Sequence, residues 1–170
     1  MMDKEGLRIA YIEAAKSPDP STQMGAVLVR KDLTDQILGV GFNDFPPGIK
    51  QVPERWEDRE LKYEYVCHAE VSAILAAQDF GMYGCTEFVT LPACTNCAKY
   101  MILAGVKCVV GHQQYAAFMS KHNPSWNESR HLGLDMLDEA GVLVRWLDGP
   151  VPDAPKIRIG GLVFDPSSEQ

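Results

Sequence analysis

His68 and Glu70 stand two residues apart in YVCHAEVSAIL, and Cys94 and Cys97 stand three apart in TLPACTNCAKYMILAGV. These side chains bind metals and move protons. On a helix, residues three apart share a face, so the two cysteines can hold one ion. They follow a strand-like run and open a helix-like one, where unpaired backbone amides and the helix dipole favour the thiolates that zinc requires. Alone, the pair is open to three readings: a redox couple, half of a structural zinc site, or two core thiols. His68 also opens a helix-like run, and no second Cys-x-x-Cys exists to close a four-ligand structural site. The set His68, Cys94 and Cys97 therefore leaves a coordination place for water. Glu70, on the first turn after His68, points away from the histidine and is free to act as a base. Two thiolates and an imidazole leave zinc little net positive charge, so water bound there needs such a base. A carboxylate that takes its proton and returns it to a leaving amine would perform hydrolytic deamination.

The elements that must position these residues follow from hydrophobic periodicity. Leu7, Ala10, Tyr11 and Ala14 recur at helical spacing, and SPDPST ends that helix. MGAVLVR and QILGVGF, separated by KDLTDQ, read as an antiparallel hairpin apolar enough to be buried on both faces. From Asn43 to Tyr65 the chain is rich in proline, glycine and charge, a long loop with room for a helical turn, of the kind that forms lids and binding surfaces. After it, HAEVSAILAAQDF is helical, TEFVTL a strand, TNCAKYMILAG helical, VKCVVG a strand, ESRHLGLDMLDEAG helical and VLVRW a strand. That alternation implies parallel crossovers with helices covering a sheet.

The chain has 170 residues, 46% of them hydrophobic, which fits one domain over 1–170 with an irregular tail from about 149 to 170. A formal charge of −7 favours a small-molecule partner over nucleic acid. The charged, helix-periodic N-terminus is not a signal peptide, no run is long enough to cross a bilayer, and five cysteines form no disulfide-like array. The expectation is a cytoplasmic protein with neither a membrane nor a nucleic-acid partner.

His-x-Glu followed on the next helix by Cys-x-x-Cys is the signature of zinc nucleobase deaminases. Beyond those residues the sequence resembles the deoxycytidylate (dCMP) deaminases of the cytidine deaminase-like superfamily. SPDPSTQMGAVLV, GVGFNDFPPG, KYEYVCHAEVSAI and CAKYMILAGVKCVV are similar to that family's segments, and the similarity runs from about Ser17 to Val110. The resemblance implies a cytidine deaminase-like three-layer α/β/α sandwich with a five-stranded mixed sheet flanked by helices. It implies one catalytic zinc ion on His68, Cys94 and Cys97, with Glu70 as proton shuttle. The reaction it implies is attack of zinc hydroxide on C4 of cytosine, converting dCMP to dUMP with release of ammonia.

The same resemblance puts Asn43, Ala69 and Ala93 at the substrate, with Asn43 on the sugar or base and a carbonyl near Ala93 on the departing amine; Tyr115 has two readings, a ring on the pyrimidine as in relatives or a packing residue, and Lys62 is placed at the substrate because its loop leads into the site. An amide both donates and accepts, which suits Asn43 to a hydroxyl, although a turn residue is the simpler reading of the sequence alone. Lys50, Arg55, Lys62, Lys121 and His122 are available for phosphate. Relatives form homo-oligomers, from dimer to hexamer, and respond to dCTP with Mg2+ and to dTTP as effectors. Three positions depart from the family pattern: Ala93 stands where proline precedes the first zinc cysteine, Ser72 where asparagine is usual, and Pro47 where arginine is frequent. These departures keep two alternatives open, a deaminase of another nucleoside, modified pyrimidine or purine base, and a nucleotide-binding regulator without turnover.

Overall fold

The computed structural model describes residues 1–31, 35–77 and 83–168. Strands β1 (Gly25–Arg30), β2 (Gln36–Phe42), β3 (Thr86–Val89), β4 (Cys108–His112) and β5 (Leu143–Leu147) form one sheet in the order β2-β1-β3-β4-β5. β1 runs antiparallel to β2 and β3, whereas β3, β4 and β5 are parallel. The middle of the KDLTDQ turn and the Gln78–Phe80 end of the expected helix lie outside the described residues.

Alternation along β1 divides the core into two layers of side chains. Val27 and Val29 join Leu7, Tyr11, Phe88, Val110 and Tyr115 on one face, beneath α1 (Asp3–Ala14) and α6 (Gln113–His122). Ala26 and Leu28 join Ala73, Val89, Met101 and Leu137 on the other, beneath α4 (Ala69–Ala76), α5 (Thr95–Ala104) and α7 (Asn127–Glu139). The result is the three-layer α/β/α sandwich with a mixed five-stranded sheet. Among the described residues, no helix is long and apolar enough to cross a membrane.

Several elements differ from the sequence reading. β2 is an edge strand, with Ile37 and Val40 exposed, so it is not buried on both faces. The segment expected as a loop folds into α2 (Pro53–Glu57) and α3 (Arg59–Tyr65). Proline at the first helical position suits α2, and the Asp58 carboxylate accepts the Leu61 N–H to cap α3. The tail is no irregular strap: β6 (Ile157–Ile159) and β7 (Leu162–Phe164) form an antiparallel hairpin through Gly160 and Gly161, and Ile157, Ile159 and Phe164 enter the first core layer.

Glu87 is an anomaly on β3. It lies in register with Leu28 of β1 and Val109 of β4, is wholly buried, and neither carboxylate oxygen has a hydrogen-bond partner among the described residues. Burial pushes its carboxyl well above the usual range, and the charge of Glu70 pushes the same way. The folded protein thus keeps a proton that the unfolded chain releases above a pH of about 4.5, so stability falls as pH rises from there. Replacing Glu87 with methionine removes that cost. Melting of the zinc-loaded Glu87→Met protein is expected several °C above wild type at pH 8, corresponding to about 1–3 kcal/mol, with a smaller gap at pH 5. A gap that is reversed or does not change with pH would contradict this.

Candidate active site

Two helix starts face each other across the end of the sheet. His68 is the N-cap of α4 and Cys94 the N-cap of α5, both in extended conformation, which leaves Glu70 and Cys97 in the first turns. Close backbone packing holds these starts in place. A Cβ on Gly41 of β2 would come within 2.3 Å of the Ala69 carbonyl, and one on Gly133 of α7 within 2.3 Å of the Ala93 carbonyl. Any side chain at either position would push a helix start away.

His68 Nδ1 lies 3.4 Å from Cys94 Sγ and 3.3 Å from Cys97 Sγ, and the two sulfurs are 3.6 Å apart. A tetrahedral ion with metal–sulfur bonds of about 2.3 Å and a metal–nitrogen bond of about 2.0 Å needs sulfurs about 3.8 Å apart, each about 3.5 Å from the nitrogen. The cluster already has that spacing, so the residues fit zinc. Their acidities agree. Hydrogen bonding with Cys97 brings the Cys94 thiol down to about 4 against the opposing effect of burial, with His68 assisting, while the same contact and burial drive Cys97 upward. Unaided, the pair shares one negative charge; a cation is what stabilises two thiolates here. His68 is held above its ordinary value because its contact with Cys94 and the charge of Glu70 outweigh its burial.

Glu70 is 3% exposed, and burial raises its carboxyl to about 6 although His68 opposes the rise. It opens onto a cavity of about 360 Å³, a volume suited to a small metabolite, which His68, Ala69, Glu70 and Cys94 also line. Reciprocal backbone hydrogen bonds between Asp44 and Cys67 pin together the two ends of the α2–α3 excursion. Arg59 ties that excursion to the short 3-10 turn Pro124–Trp126 through Ser125 Oγ at 3.1 Å. Trp126 lines the cavity with its ring 5.9 Å from the His68 ring and 5.4 Å from Tyr63.

The expected substrate residues separate. Asn43 and Lys62 line the cavity. Asn43 Oδ1 accepts the Met24 N–H, and its Nδ2 donates to Asp19 and to the Thr22 carbonyl. Lys62 is 6% exposed, and its ammonium is paired with Asp19 at 3.1 Å. Tyr115 is not at the cavity: it is buried under α6 on the opposite face of the sheet, donating to the Gln23 carbonyl. Ala93 is also withdrawn, its carbonyl turned against α7 at Gly133. Of the basic residues considered for phosphate, Lys50, Arg55 and Lys121 do not line the cavity, whereas His122 does.

The sequence reading missed Arg59, Trp126 and Arg130, all of which line the cavity. Trp126 and Arg130 are four apart at the start of α7, a spacing that puts them on one face. That signal was available once the helix start was placed at Asn127.

A His-Cys-Cys set that can hold a metal ion and a buried carboxyl at the wall of a cavity are the elements of a metal-dependent hydrolase, here on an α/β/α sandwich. A family model for the cytidine and deoxycytidylate deaminase zinc-binding region matches residues 1–113. The chain belongs to that family. It is 37% identical over 144 residues to an uncharacterized deaminase encoded in the luxG 3′ region of Aliivibrio fischeri, covering 85% of this chain and 92% of that one. It is also 37% identical over 158 residues to human deoxycytidylate deaminase, covering 90% and 82% of the two chains. The fold is shared with the dCMP deaminase of cyanophage S-TIM5, at a TM-score of 0.60 and 21% identity over 85% of this chain and 96% of that one. A second structure of the phage enzyme, in complex with dCMP and dUMP, aligns with a TM-score of 0.58.

Proposed function

We propose that this protein converts dCMP to dUMP and ammonia by hydrolysis, with Glu70 as its proton carrier. The observation that carries the reading is the buried Glu70 carboxyl beside the His68, Cys94 and Cys97 cluster at the cavity wall. Zinc on those three residues supplies the Lewis acidity that makes water a nucleophile near neutral pH. Glu70 accepts the proton that water loses and delivers it to the exocyclic nitrogen at C4. One C–N bond breaks, a C4 carbonyl forms, and water and dCMP become dUMP and ammonia. A carboxyl near pH 6 suits both halves of that task, since it accepts and releases protons close to neutrality.

The surrounding residues orient the substrate. The Ala69 N–H, in the first turn of α4 beside the cavity, has no intrahelical acceptor and donates to a base oxygen in this reading. Asn43 spends both amide hydrogens on the Asp19 loop, leaving an Oδ1 lone pair for a sugar hydroxyl. Lys62, neutralised by Asp19, acts as the brace of that array rather than as a free cation. Assembly into a homo-oligomer is supported by Tyr100 and Leu103, which leave apolar surface exposed on α5. Regulation by dCTP with Mg2+ or by dTTP, and a cytoplasmic location, rest on family membership. Steady-state rates on dCMP, deoxycytidine, cytidine and guanine test the reading. Highest kcat/KM for dCMP is expected; faster turnover of guanine or cytidine would overturn it.

A further inference from the structure

A site for a nucleotide must place a cation where no carboxylate has already claimed it. Arg59, Lys62, His122 and Arg130 all line the cavity. Lys62 is committed to Asp19. Arg59 is exposed, with Nε on the Tyr63 hydroxyl and Nη2 on Ser125 Oγ, and the His122 ring packs against Phe118 at a 38° tilt with centroids 4.3 Å apart. Arg130 differs from all three. Its Nη2 donates to Ser120 Oγ of α6 at 2.9 Å and Asn127 Oδ1 of α7 at 3.3 Å. Nε and Nη1 are out of reach of solvent and have no acceptor among the described residues, and no carboxylate pairs with the guanidinium there. Burial pulls its pKa down from the ordinary arginine value, yet a guanidinium stays charged at any working pH. A desolvated cation with idle donors is costly to fold around unless an anion completes it.

From this we infer that Arg130 recognises the 5′-phosphate of the substrate: its guanidinium stands at the cavity wall without a carboxylate, and the enclosed Nε and Nη1 meet phosphate oxygens when the bound nucleotide draws the side chain into the cavity. The inference rests on the nucleotide reading above. The geometry along α7 agrees with it. Trp126, beside the metal-ligating His68, precedes Arg130 by four residues, about 6 Å along the helix axis. A base held near the metal and Trp126 thus has its sugar reaching toward the guanidinium. Arg59, joined through Ser125 to the same turn, lines the cavity from the α3 side.

The test compares binding of dUMP and deoxyuridine to zinc-loaded full-length protein by calorimetry, in wild type, Arg130→Gln, Arg130→Lys and, as a control away from the cavity, Arg8→Gln. The readout is the preference for dUMP over deoxyuridine, which a merely structural role for Arg130 would not move. Arg130→Gln is expected to reduce that preference by about tenfold to a hundredfold, the range for a charge-assisted hydrogen bond. Arg130→Lys keeps a charge but loses the fork, and serves as the second folded variant with a smaller loss. Arg8→Gln keeps the wild-type ratio. A wild-type preference that survives in both Arg130 variants overturns the inference and leaves the nucleotide reading standing. A wild type with no preference for dUMP overturns both.

Discussion

Glu70→Gln is expected to retain one zinc ion per chain and to lose about 10²–10⁴-fold in kcat on dCMP. The substitution keeps the shape of the side chain and removes its basicity. Zinc retention follows because the ligand atoms come from His68, Cys94 and Cys97, whose spacing does not involve Glu70. The loss in turnover follows because the same carboxyl serves both proton transfers and is almost wholly buried, so solvent cannot readily replace it. Zinc content by elemental analysis and kcat by ammonia release, on the same preparation, check the two halves. Turnover within a few-fold of wild type would remove Glu70 from the proton path.

Cys94→Ala should lose metal and activity together. Two ligands remain, one of them the Cys97 thiol, whose burial favours its protonated form. Zinc bound to the native state stabilises it by mass action, so chelation is expected to lower the melting temperature of wild type and leave that of Cys94→Ala unmoved. The pairing of the two measurements matters. A folded variant that still holds one zinc ion and deaminates dCMP would contradict the ligand assignment, whereas loss of turnover with zinc intact would make Cys94 a catalytic group.

The His-Cys-Cys cluster was legible in the sequence because each half of it is local: the His-x-Glu and Cys-x-x-Cys spacings place their side chains on helix starts whatever the rest of the chain does. The parallel half of the sheet was legible in the alternation of apolar runs after His68. What escaped depended on partners distant in sequence or on elements without punctuation. Helix α6 begins directly after β4 with no side-chain cap, so it went unread, and Tyr115 was assigned to the substrate although its turn of α6 faces the core. Lys62 looked like a free loop cation because Asp19 lies 43 residues earlier. Ala93 looked available until Gly133 allowed α7 to close against its carbonyl. The tail hairpin was hidden by its prolines and glycines, although its apolar residues Ile157, Ile159 and Phe164 enter the core.

Reconstitution with zinc tests the central claim most directly. Protein stripped by a chelator and titrated with zinc is assayed for dUMP and ammonia formed from dCMP. The account expects equal amounts of the two products, no turnover before zinc is added, and activity that saturates at one ion per chain. Full activity in the stripped protein, or no dUMP at any zinc content, would contradict it.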